Sequence, residues 1–196
     1  MQENNVQFYL GVSAVIGALI VIGGITFFVS DSKNLLNLGN GVDISTLVGT
    51  DVTSIAVAET VTSDFKDTET YTHASGFSFN YPKSYTVGEF EEGDGHMVLL
   101  QDPSKNIGLQ ISVRPFDEDI TALTEARIRQ DLPDIAMEGV VAVNIAGVEG
   151  LAFKSRGDTF GESVEVWFVS SGKLYQISTY ASQAALLERV INSFQF

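Results

Sequence analysis

The sequence predicts an α+β protein in which a single N-terminal transmembrane helix anchors one domain built on an antiparallel sheet covered by helices. Three observations lead there. An uninterrupted apolar run lies near the N-terminus, a series of short alternating strands follows residue 75, and the chain ends on an amphipathic helix. At 196 residues the chain has room for one folded domain plus appendages. The expected division is residues 1–30 as tail and span, 31–72 as a polar connector, and 73–196 as the α+β domain.

The run from Phe8 to Val29 holds 22 residues without a charge or a proline. As a helix it would measure about 33 Å, against a hydrocarbon core of roughly 30 Å, so residues 8–29 are expected to lie in the lipid bilayer. The flanking Phe8, Tyr9, Phe27 and Phe28 suit the interfaces. MQENNVQ lacks the basic residues of a signal-peptide n-region, and the apolar run is longer than the usual h-region, so the helix is expected to stay. Ser13 and Gly17, like Ala14 and Ala18, are four apart; such spacing lets helices approach closely, although glycine is also common in spans generally. Long domains cross membranes largely regardless of charge, and the expected orientation puts the soluble domain outside the cytoplasm (periplasmic, lumenal or at the cell surface).

Residues 31–72 are rich in Ser, Thr, Asn, Asp and Gly, with apolar interruptions at Leu35, Leu36 and Leu38 and at Ile55–Ala58. This composition reads as a tether.

In the domain, Phe77, Phe79 and Tyr81 alternate with Ser78 and Asn80 before Pro82 ends the run, a half-buried strand. Strands at 85–90 and 97–101 flank EEGDG, with Asp94-Gly95 as the expected hairpin turn. Ile107, Leu109, Ile111 and Val113 share one face of the next strand, with Gln110, Ser112 and Arg114 opposite. A helix is expected over 121–132, stopped by Pro133. Further strands are expected at 140–146, 150–155, 164–170 and 174–180, with Gly147–Gly150 and Ser171-Gly172 as turns. The closing helix is expected at 183–193, capped by Ser182, with Leu187, Val190, Ile191 and Phe194 on its apolar face.

Composition excludes several functions. There is no Cys, which removes disulfides and thiolate metal sites. Asp and Glu number 25 against 11 Lys and Arg, a net charge of −14 that repels phosphate backbones, so no nucleic-acid partner is expected. No Walker A, G-x-G-x-x-G or G-x-S-x-G motif occurs. Glu91, Glu92, Asp94 and His96 supply possible cation ligands within six residues, but at no known metal-loop spacing. A turn with solvated carboxylates at its rim explains them better. Asp117, Glu118 and Asp119 are likewise explained by the positive end of the helix expected after them. Trp167 shares a strand face with Glu165 and Val169 and is expected under a helix rather than at a contact surface. No residue is assigned to catalysis, to a cofactor or to a metal.

GFSFNYP, a short gap and an aromatic, the strand VLLQDP, and the close KLYQISTYASQAALLERVINSFQF together resemble PsbP-like domains over roughly residues 75–196. Tyr85 stands where members of that family frequently carry Trp. The resemblance implies an α-β-α sandwich and a mostly non-enzymatic role, as extrinsic subunit or assembly factor of photosynthetic membrane complexes or as an exported bacterial protein. The N-terminal span is outside that pattern, so an oxygen-evolving role is not carried over, nor is any functional residue. The expected function is that of a membrane-anchored, non-enzymatic accessory or assembly subunit of a membrane protein complex. The alternative is a tethered extracytoplasmic binding module for a small ligand or cation.

Overall fold

The computed structural model describes residues 66–105, 107–157 and 161–196. The expected span at 8–29 and most of the connector lie outside the described residues. Among the described residues no helix is long and apolar enough to cross a membrane.

Two sheets carry the fold. Strands β1 (Thr68–Thr72) and β2 (Ser78–Pro82) form an antiparallel pair. Seven strands form an antiparallel sheet: β3 (Thr86–Glu92), β4 (Gly95–Asp102), β5 (Ile107–Pro115), β6 (Glu138–Ile145), β7 (Val148–Gly157), β8 (Gly161–Ser170) and β9 (Lys173–Tyr180). Their spatial order is β3-β4-β5-β9-β8-β7-β6, so β9 returns to the middle and leaves β3 and β6 at the edges. Helix α1 (Glu125–Asp131) lies between β5 and β6, and α2 (Ala184–Asn192) closes the chain.

Strand alternation divides the sheet's side chains between two cores. Leu109, Ile111 and Val113 of β5, Val164, Val166 and Phe168 of β8, and Tyr175 and Ile177 of β9 point to one face. There Leu187, Val190, Ile191 and Phe194 from α2 and its C-terminal end meet Phe77 and Phe79. Phe77 and Phe194 stack at 5.3 Å between ring centroids. On the other face Phe116, Leu123 and Ile128, in and before α1, cover Phe153, Trp167, Val169 and Leu174. The sheet is thus covered on both faces, the expected antiparallel α+β arrangement.

Several local expectations shift. The first hairpin turns at Gly93-Asp94, not Asp94-Gly95: Glu92 and Gly95 already pair, and Gly93 takes φ +63° while Asp94 does not adopt a positive φ. Gly at the first central position is the type II′ pattern. Gly95 is needed for another reason, since a Cβ there would lie 2.6 Å from the Val113 carbonyl oxygen on β5. The β6–β7 turn is Ala146-Gly147, both at positive φ, with the Asn144 side chain accepting from the Gly147 N–H; Gly150 lies inside β7. Ser171-Gly172 is the β8–β9 turn as expected, with φ +52° and +68°.

Helix α1 starts at Glu125, because Thr124 rather than an earlier residue caps it through its hydroxyl and the Arg127 N–H. Asp117, Glu118 and Asp119 therefore lie well before its first turn. The C-terminal helix opens with a 3-10 turn at Ala181–Gln183, and Ser182 supplies no cap bond to α2. Residues 68–72, read as connector, form β1. TETYT is polar enough to resemble a tether, yet Thr and Tyr favour strands and β2 gives them a ladder.

Candidate functional site

Three places gather the residue types that carry chemistry. At the first, the β1–β2 hairpin packs over the end of β3–β4. Alternation separates the acidic cluster read from the sequence: Glu91 and His96 are cross-strand partners on the α2 face, whereas Glu92 points to the opposite face and Asp94 sits in the turn. His96 Nδ1 lies 3.0 Å from Glu91 Oε2, and Glu92 Oε2 lies 3.2 Å from Arg114 Nη2 of β5.

The fold then brings together groups that no local spacing joins. His73, just after β1, is buried, stacks on Phe77 at 4.9 Å, and lies 5.5 Å from the His96 ring. Its Nδ1 accepts the Ser75 N–H at 3.1 Å and lies 2.5 Å from the Ser75 hydroxyl oxygen. Burial pushes the His73 imidazole below its ordinary pKa; Glu89 and Glu91 pull upward, His96 and Lys173 downward. Tyr71 donates its hydroxyl to Glu89 at 2.7 Å, and burial together with that carboxylate pushes the phenol pKa up. A hydrogen-bonded seam thus fastens the small hairpin to the large sheet. Among the described residues no three His, Asp or Glu are placed to hold a metal ion.

The second place is beneath α1. Glu165 of β8 is buried, Ser163 Oγ donates to its Oε1 at 2.7 Å, and Trp167 Nε1 donates to its Oε2 at 3.3 Å. No described cation pairs with it, and burial pushes its carboxyl pKa up against the weaker effect of those two hydrogen bonds. Trp167 is covered by the α1 layer and meets Phe153 edge-on at 5.6 Å, as expected for a structural Trp. A pocket of about 20 Å³ lies beside it, lined by Phe116, Leu123, Arg127, Trp167 and Gln176. That is room for about one water, far below the roughly 300 Å³ of a small-molecule site. Nearby, Glu118 accepts from Arg127, which also pairs with Asp131; the guanidinium holds the Glu118 carboxyl below its usual pKa. Neither Asp117 nor Asp119 joins that pairing.

The third place is the β3 edge of the sheet. Phe90 on β3 is 53% exposed, its ring lying over Gly88, with Glu89 and Glu91 on either side in the strand. Phe90 belongs to no motif in the sequence. The signal lay in its position, an aromatic between two glutamates in a run that alternates.

No family model and no curated protein matches the chain. Among solved structures it is similar to the solution structure of cyanobacterial PsbP (CyanoP) from Synechocystis sp. PCC 6803, with 15% sequence identity and a TM-score of 0.47, over 76% of this chain and 98% of that one.

Proposed function

We propose that this protein is a membrane-anchored, non-enzymatic accessory or assembly subunit of a membrane protein complex. On this reading residues 8–29 lie in the bilayer, the α+β domain sits outside the cytoplasm, and both contact other subunits. The observation that carries it is the pairing of a 22-residue run free of charge and proline with a domain that exposes Phe90 on a strand at the edge of the described sheet. Support also comes from how the ionisable groups of the domain are used. Tyr71 on Glu89 and His73 beside His96 fasten the small hairpin to the sheet, while Glu165 is bonded by Ser163 and Trp167 of its own strand and Arg127 by Glu118 and Asp131. The sequence resemblance of residues 75–196 to PsbP-like domains points the same way.

The test is mass spectrometry of what copurifies with the tagged full-length protein from its native membranes in mild detergent. A reproducible, stoichiometric set of membrane proteins is the expected result. Recovery of the protein alone would overturn the reading.

A further inference from the structure

We propose that the outer edge of β3 is a docking strand for an extended segment of a partner protein, one with Lys or Arg opposite Glu89 and Glu91 and an apolar residue between them opposite Phe90. This rests on the reading of the chain as a subunit and specifies the chemistry of the contact.

The β3–β4 hairpin closes with the Glu92–Gly95 pair around a two-residue turn, which makes that pair hydrogen-bonded. Counting back, Phe90 and Gly88 also bond to β4, while Glu91, Glu89 and Val87 turn their N–H and C=O groups away from it. Among the described residues no backbone group pairs with those three. Such an edge is a template for another strand, and natural sheets usually blunt it with charged side chains, Pro, a bulge or a short strand; the glutamates of β3 do so only against a partner of like charge. The opposite edge is blunted: β6 has a register shift between Glu138 and Val141 and a glycine, Gly139, at positive φ. Strand β3 runs seven residues, TVGEFEE, in regular register with no Lys, Arg or Pro.

Side chains then select the occupant. Glu89 and Glu91 project on the α2 face and Phe90 on the other. Tyr71 and His96 hold the two carboxylates in place at 2.7 and 3.0 Å, and the Glu91 side chain remains 80% exposed. Two copies of this strand laid antiparallel would set glutamate against glutamate, which disfavours self-pairing. A segment reading basic–apolar–basic matches all three positions at once, with main-chain bonds supplying affinity and alternate side chains supplying specificity.

The test is amide hydrogen exchange by NMR on the full-length protein in detergent, titrated with a synthetic peptide carrying a Lys-Val-Lys centre and with a Glu-Val-Glu control. The Lys peptide is expected to slow exchange at least about tenfold at Val87, Glu89 and Glu91, with little change at Gly88 and Phe90, which already bond to β4. Glu89→Pro removes one outward N–H without breaking a β3–β4 bond, and should weaken the Lys peptide about tenfold or more. The double change Glu89→Lys with Glu91→Lys should reverse the preference toward the Glu peptide. Equal response to the two peptides would overturn the proposal. Slow exchange before any peptide is added would mean that this chain covers its own edge, and slowing that grows with protein concentration would mean a second copy does; either result also overturns it. The titration needs no membrane complex, so its failure leaves the copurification experiment free to decide the subunit reading.

Discussion

Replacing the buried carboxyl with its neutral isostere, Glu165→Gln, tests the account of the α1 face most directly. Around Glu165 stand Ser163 and Trp167 on its own strand, Phe153 opposite on β7, and Ser178 opposite on β9. The described cations on this side of the sheet are engaged elsewhere, Arg114 with Glu92, Arg127 with Glu118 and Asp131, and Arg129 with Glu125. Burial therefore acts on an uncompensated acid, and its folded-state pKa lies above the ordinary 4.5. Below about pH 4.5 both folded and unfolded states carry the proton, and no penalty exists. Above it the unfolded chain releases the proton while the folded one keeps it, so stability falls until the pH passes the folded pKa. The slope approaches about 1.4 kcal/mol per pH unit, or about 3–5 °C in Tm for a domain of this size.

A glutamine keeps the contacts: its carbonyl accepts from Trp167 Nε1 and its amide donates to Ser163 Oγ, which a neutral carboxylic acid can also do. Urea unfolding of wild type and Glu165→Gln at pH 4, 6 and 8 should give a stability difference that grows steadily in favour of the variant above about pH 4.5, at up to the slope above. Because every other carboxylate is common to both proteins, the difference isolates this one. Curves that stay parallel from pH 4 to 8 would show that Glu165 is ionised and solvated in the folded state, and would refute the reasoning.

Three further outcomes follow from the packing. Phe77→Ala removes a ring in contact with His73, Tyr175 and Phe194 and should lower urea stability by about 3–5 kcal/mol; a loss below about 1 kcal/mol would mean that the β1–β2 hairpin is not part of the core. At Gly108 an added Cβ would run into the Leu100 carbonyl oxygen, so Gly108→Ala must spread β4 from β5 and should cost about 1–3 kcal/mol, read as a drop in Tm. His73 is buried and its pKa depressed, so the folded state stays neutral where the unfolded state takes up a proton; stability should fall as pH drops below about 6.5. His73→Phe, which keeps the stack on Phe77, should flatten that fall in urea titrations between pH 8 and 5.

The sheet was legible because its strands obey a period-two code that one sequence displays in full. Ile107 to Arg114 and Val164 to Val169 announce both a strand and its two faces, and the closing helix announces its apolar side through Leu187, Val190, Ile191 and Phe194. Turn positions were less legible because glycine serves two purposes. Gly95 and Gly150 permit close approach of a neighbouring strand rather than a positive φ, so reading each as a turn residue displaces the hairpin. β1 was hidden because its side chains are mostly exposed and its ladder partner lies beyond the His73–Gly76 turn. The seam of His73, His96, Glu89 and Tyr71 was not legible at all, since its spacing follows no local period and exists only once one hairpin lies on another. A docking strand of the kind proposed for β3 needs no special residue, only an edge that the other described strands leave unpaired, and that edge follows from β9 returning to the sheet's middle beside β5 and β8. A protein whose work is to be bound along such an edge will therefore carry its functional signal in strand order, and in one aromatic between two acids, rather than in a motif.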